Sequence, residues 1–188
     1  MLLTMEDLCN HVNRAGKCGC SSTSSTYAQS LSEMDFERGI WQAALDGDVK
    51  RVRKFLDKGT DPNLRDGSGY TALHYASRSG HEEVCQLLLE QGADVNAQTK
   101  SGKVSSLHRA AYSGHMSVVN LLIKYGADLR LCDSDGQIPL HKAAEKLQKE
   151  VVRLFVELDS SLVKVKDQKG RLPSDLVSLK ELALLNLL

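Results

Sequence analysis

Two sets of residues in this chain are of the types that bind zinc or move protons. Three histidines, His74, His108 and His141, each follow a leucine and precede an alanine-rich turn, while Cys9, His11, Cys18 and Cys20 fall within twelve residues near the amino terminus. Imidazole and thiolate are the commonest protein ligands for zinc, and imidazole is the commonest general base. The amino-terminal four supply enough soft ligands for one ion. Their Cys-x-Cys spacing is tighter than usual for zinc, and the flanking Ser and Asn offer little to pack. A metal- or redox-sensing protein is therefore one reading, and reduced thiols in a mobile tail the other. The three histidines recur at a near-constant interval, the step from His74 to His108 being one longer than that from His108 to His141. If each sits on its own helix, with helices packed roughly 8–10 Å apart, the rings cannot converge on one ion with Zn–N bonds of about 2.0–2.1 Å. They read as a ladder rather than a site.

No other constellation carries catalytic chemistry. The chain has no Gly-x-Gly-x-x-Gly opening a helix after a strand, no phosphate-loop Gly-Lys-Ser and no His-Glu-x-x-His. The pair Glu82 and Glu83 reads as the first turn of a helix, where negative charge complements the dipole. No catalytic residue and no cofactor is expected.

The elements that position the histidines repeat with them. Gly47, Gly80 and Gly114 recur at the same interval, as do Gly59, Gly92 and Gly126. The additional residue in one step lies in "GKVSSLH", one longer than "GYTALH". A period of about 33 residues marks a stacked array of one supersecondary unit. Within a unit, "ALHYASRS" predicts a short apolar helix closed by a left-handed glycine, and "EEVCQLLLEQ" a second helix with Val84, Leu87 and Leu88 on one stripe. "ADVNAQTKSG" then has the composition of a tight projecting turn.

These segments closely resemble the ankyrin repeat, with its Thr-Pro-Leu-His-x-Ala-Ala opening, its Gly-His between helices and its Gly-Ala-Asp-Val-Asn-Ala after the second. The second unit, "GYTALHYASRSGHEEVCQLLLEQGADVNAQ", carries the resemblance most fully. It implies an all-α repeat solenoid: helix-turn-helix units with projecting hairpin loops, about four repeats at 35–68, 69–101, 102–135 and 136–169, and a carboxy-terminal partial cap at 170–188. Residues 1–33 are expected to form a flexible tail ahead of a repeat domain at 34–188. The resemblance also implies that His74, His108 and His141, with Thr71 and Ser105, fix helix starts and link repeats. Gly80, Gly92, Gly114 and Gly126 complete the structural motif. The first repeat departs by placing Trp41 at the histidine position. The fourth has Ile138 for the threonine, with Leu147, Gln148 and Asp159 near the expected Gly, His and Gly, which predicts local irregularity. Asn96 matches the family pattern recognised by an asparaginyl hydroxylase, with Leu88 six residues before Asp94; the other reading is that Asn96 only shapes its turn.

Composition narrows the function. Lysine plus arginine and aspartate plus glutamate balance at 24 each among 188 residues, so no strong net field draws the chain to nucleic acid or an anionic membrane. No apolar run approaches the roughly 18 residues of a membrane span. Five cysteines without a framework of spacings fit an intracellular protein, cytoplasmic or nuclear. A monomer that binds a protein partner is expected. The resemblance implies that the residues following each histidine or its equivalent, Gln42, Tyr75, Arg109 and Lys142, face a concave groove. Those late in the first helices, Leu45, Arg78, Tyr112 and Glu145, face it too, with loop tips at Arg65, Gln98 and Asp133. Tyrosine and arginine are the types that anchor interfaces. The expected function is a non-enzymatic adaptor or scaffold, with metal or redox sensing, and more weakly an enzyme, as the alternatives.

Overall fold

The alanine-rich and leucine-rich segments form paired helices in the computed structural model, which describes residues 39–177. The pairs are α1 (Ile40–Asp46) with α2 (Val49–Asp57), α3 (Ala72–Ser79) with α4 (Glu82–Glu90), α5 (Ser106–Ser113) with α6 (Met116–Lys124), and α7 (Pro139–Glu145) with α8 (Lys149–Leu158). Two 3-10 turns, Ser160–Lys164 and Pro173–Leu176, follow. Among the described residues there is no β-strand, and one isolated antiparallel bridge joins Gln98 and Ser105. The architecture is the helical repeat solenoid expected from the period. The tail assigned to residues 1–33, with Cys9, His11, Cys18 and Cys20, lies outside the described residues, as does the end of the partial cap.

Stacking follows from side-chain size. Ala72 and Ala76, Ala110 and Ala111, and Ala143 and Ala144 are fully buried on the first helices, beside Leu73, Leu107 and Leu140. Small residues let α1, α3, α5 and α7 contact one another in succession. The second helices bury Val84 and Leu88, Val118 and Leu122, and Val152 and Phe155. These join the first-helix residues in one core running through the array, except Ala144, which packs separately with Val177 and Leu147. Burying each of the larger side chains contributes about 1.5–3 kcal/mol.

The helices of a pair are separated by a residue in the left-handed region: Gly47, Gly80 and Gly114, at φ 75°, 80° and 78°. The glycine is needed twice over, because a Cβ on Gly80 would also lie 2.6 Å from the His115 ring of the following repeat. In the fourth repeat Leu147 takes this conformation at φ 56°, and α7 has seven residues where α3 and α5 have eight. A side chain there costs roughly 1–2 kcal/mol.

Polar groups then stitch repeat to repeat in both directions. Toward the following repeat, the Nε2 of His74 bonds the Val104 carbonyl at 2.9 Å, that of His108 the Gln137 carbonyl at 2.9 Å, and that of His141 the Arg171 carbonyl at 3.3 Å. Their Nδ1 atoms accept the backbone N–H of Thr71, Ser105 and Ile138. An amide N–H can only donate, so Nδ1 is bare and Nε2 carries the proton. Trp41 stands at the histidine position of the first repeat, but its indole N–H donates to the Leu64 carbonyl of that same repeat at 3.0 Å. Toward the preceding repeat, His81, His115 and Gln148 each bond the carbonyl late in a first helix: Leu45 at 2.9 Å, Arg78 at 3.0 Å and Tyr112 at 3.3 Å. This second ladder has no counterpart in the sequence reading, although the Gly-His pair occurs twice, at 80–81 and 114–115, in register with Leu-His.

Candidate functional site

The face formed by the first helices and their loops brings most of the expected binding residues together, but commits several of them internally. Three of the loops are closed by a side chain that accepts two backbone N–H groups. Asp66 accepts those of Ser68 and Tyr70, Asp133 those of Asp135 and Gln137, and Asp167 those of Lys169 and Arg171. In the first two the second carboxylate oxygen then reaches the helix. Tyr75 donates its hydroxyl to Asp66 at 2.6 Å, and the Lys142 ammonium lies 2.8 Å from Asp133. Asp133, expected at a loop tip, is 6% exposed, because the turn uses its carboxylate as acceptor. Burial pushes the Asp133 carboxyl up, but the bonds from Lys142 and from the Gln137 and Asp135 amides more than offset that and hold it below the usual range. Burial, followed by the hydrogen bond to Asp66, pushes the Tyr75 phenol up.

The other tips are fastened between repeats. Arg65 is exposed yet donates to the Gln98 carbonyl at 2.5 Å, and the Gln98 amide donates to the carbonyls of Lys103 and Cys132. Asn96 is likewise occupied at both ends of its amide, donating to the Gly126 carbonyl and accepting the Asp128 N–H. Asn63 does the same one repeat earlier with Gly92 and Asp94. An enzyme acting on Asn96 would have to open this loop.

What stays available is a strip along the first helices. Arg78, Tyr112 and Glu145 are exposed, while Gln42 and Leu45 are half-buried and Gln42 bonds Asp46. A depression of about 200 Å³ lies at the centre of the strip, lined by Val104, His108, Arg109, Tyr112 and Lys142. The Lys146 ammonium sits 4.7 Å above the Tyr112 ring. Tyr70, absent from the expected set, belongs to this surface. Its ring lies 5.6 Å from that of Tyr75, the Arg109 guanidinium stacks 5.1 Å above it, and its hydroxyl accepts from Arg109. Tyr70 occupies the place of Val104 and Gln137 in the other repeats, and an aromatic residue in a variable position is the signal that could have marked it.

The histidines of the ladder are held neutral. Burial lowers His74 to about 4, and burial is the leading cause of the lowering at His108 and His141 as well. Burial also pushes the Cys85 thiol up to about 12. Among the described residues no group of three or more His, Cys, Asp or Glu side chains could hold a metal ion, and no helix is long and apolar enough to cross a membrane.

Comparison with known proteins gives a consistent result. A family model described as ankyrin repeats in three copies matches residues 28–99, and one described as ankyrin repeats in many copies matches residues 107–156. The chain is 58% identical over 86 residues to human ankyrin repeat domain-containing protein 39, covering 45% of this chain and 46% of that protein. It is 56% identical over 64 residues to the Bos taurus protein of the same name, covering 34% and 35%. A Rattus norvegicus protein, ankyrin repeat domain-containing protein 46, is 45% identical over 49 residues, covering 26% and 22%. In each case the chain spans less than half the length of the relative it matches.

Proposed function

The chain belongs to the ankyrin-repeat family, a fold used for protein–protein interaction, and we propose that it is a non-enzymatic adaptor or scaffold binding a protein partner through the first-helix groove. The depression lined by Arg109 and Tyr112 carries this reading. The ladder histidines are consumed by the scaffold, with one nitrogen accepting an amide proton and the other bonded to a carbonyl, so they do not supply a base. Arg78 and Tyr112 join the stack through their backbone carbonyls, while their side chains and that of Glu145 are exposed. An exposed tyrosine beside arginine is the composition of an interface anchor.

The proposal is tested by a pair of double variants. Arg109→Glu with Tyr112→Ala should weaken partner capture by about thirtyfold or more, equivalent to about 2 kcal/mol. Folding should lose the stacking and hydrogen bond of Arg109 on Tyr70 and the Lys146–Tyr112 contact, about 1–3 kcal/mol in all. Lys124→Glu with Tyr125→Ala on the second-helix face is the matched control, since Tyr125 and Tyr112 are 37% and 38% exposed. Capture should be unchanged there. Retained binding by the folded groove variant, with loss confined to the second-helix face, would reject the groove as the working surface.

A further inference from the structure

The loop between the second and third repeats breaks the pattern of its neighbours. At the position of Asp66, Asp133 and Asp167 it carries Thr99, whose hydroxyl accepts the Val104 N–H at 3.0 Å and so closes the turn. It also carries the additional Lys103, which takes a left-handed φ of 47° where the flanking loops have Gly69 and Gly136. Threonine can replace the first carboxylate oxygen but not the second. In the neighbouring repeats that second oxygen meets the residue after the ladder histidine, Tyr75 in one and Lys142 in the other. Here the corresponding residue is Arg109, and among the described residues it pairs with no carboxylate.

Arg109 turns instead toward the preceding repeat. Its guanidinium lies on the Tyr70 ring and donates to the Tyr70 hydroxyl, while its buried Nε has no hydrogen-bond partner among the described residues. A guanidinium presents five donors in a planar fork suited to a carboxylate, and this one is held by stacking rather than by charge. Among the described residues no carboxylate contacts it directly. The carboxylates of Asp66 and Asp133 are occupied by Tyr75 and Lys142 and by turn amides, whereas Lys146 stands over Tyr112 at the other wall. The centre of the groove thus combines a guanidinium without a carboxylate among the described residues, aromatic surface from Tyr70 and Tyr112, and a depression of about 200 Å³.

We infer that the groove selects an acidic peptide segment, whose Asp or Glu carboxylate pairs with Arg109 and so supplies the anion that Thr99 omits. The inference rests on the groove reading above and adds the chemistry of the partner. It also identifies Thr99 as a specificity position, because an aspartate there would occupy Arg109 from within.

Random linear peptides displayed on phage and panned against the full chain provide the probe. Enriched clones should share an Asp or Glu. Changing that residue to Asn or Gln in a synthetic clone should weaken binding to the native chain about tenfold to hundredfold. The same peptide change should have little effect against Arg109→Gln. Thr99→Asp should weaken the acidic clone while leaving the melting temperature equal or higher, which separates neutralisation from unfolding. Failure to enrich acidic clones above neutral ones, or an equal loss against Arg109→Gln, would overturn the inference. Neutral clones that still depend on Tyr112 would overturn it too while leaving the groove reading standing. Clones disrupted only by Lys124→Glu with Tyr125→Ala would overturn both.

Discussion

Leu107→Ala should lower the unfolding free energy by about 2–5 kcal/mol, the range for deleting a large side chain from a core that cannot fully collapse. Leu107 is 1% exposed on α5, which is packed against α3 on one side and α7 on the other. Each repeat of a solenoid is stabilised chiefly through its neighbours, so a cavity here weakens two interfaces at once. Leu158→Ala is the natural comparison, because Leu158 is 50% exposed and surface changes usually stay within about 0.5 kcal/mol. Urea unfolding of both variants decides the matter. Comparable losses would mean that the first helices do not form the continuous core described above.

Acidification should be the second large effect. In the unfolded chain the ladder histidines take a proton near their ordinary pKa of 6.5, whereas folded His74 does so at about 4 and His108 and His141 are also lowered. Between those values the unfolded state binds more protons, so stability present above pH 6.5 is lost as the pH falls through the window. His74 alone accounts for roughly 3 kcal/mol across it. The carboxyls of Asp133 and Asp167 are held below their ordinary 3.8, so their contribution disappears only at lower pH. Denaturant midpoints measured at about pH 7 and about pH 5 should differ markedly. His74→Gln should be less stable at the higher pH and less sensitive to the change. A flat profile over that interval would show that the imidazoles are not held neutral by the stack.

The helical pairs and the histidine ladder are legible in the sequence because their signals lie along the chain: a near-constant repeat interval, alanine and leucine at helical spacing, glycine at the left-handed breaks. The contacts that reach across repeats are less so. His74, His108 and His141 are legible as links between repeats only through the family resemblance; His81, His115 and Gln148 also bond carbonyls of a neighbouring repeat, and a carbonyl leaves no mark in the sequence that accepts the bond. The burial of Asp133 is hidden from the sequence for a related reason, since an aspartate in a turn looks the same whether it faces solvent or gathers the turn's own amides. Thr99 and Lys103 are visible as departures from the repeat. Their consequence for Arg109 emerges only when the three loops are superposed in space, where the neighbouring repeats show which partner is missing.

The most direct test of the groove as the working surface is site-specific photocrosslinking of the full chain in cell extract. A photoreactive residue is placed in turn at position 112 in the groove and at position 125 on the second-helix face, which are almost equally exposed in the free protein. The expected result is a discrete adduct from position 112 that disappears with Arg109→Glu, and no such adduct from position 125. A discrete adduct from position 125 alone, unaffected by Arg109→Glu, would contradict the account.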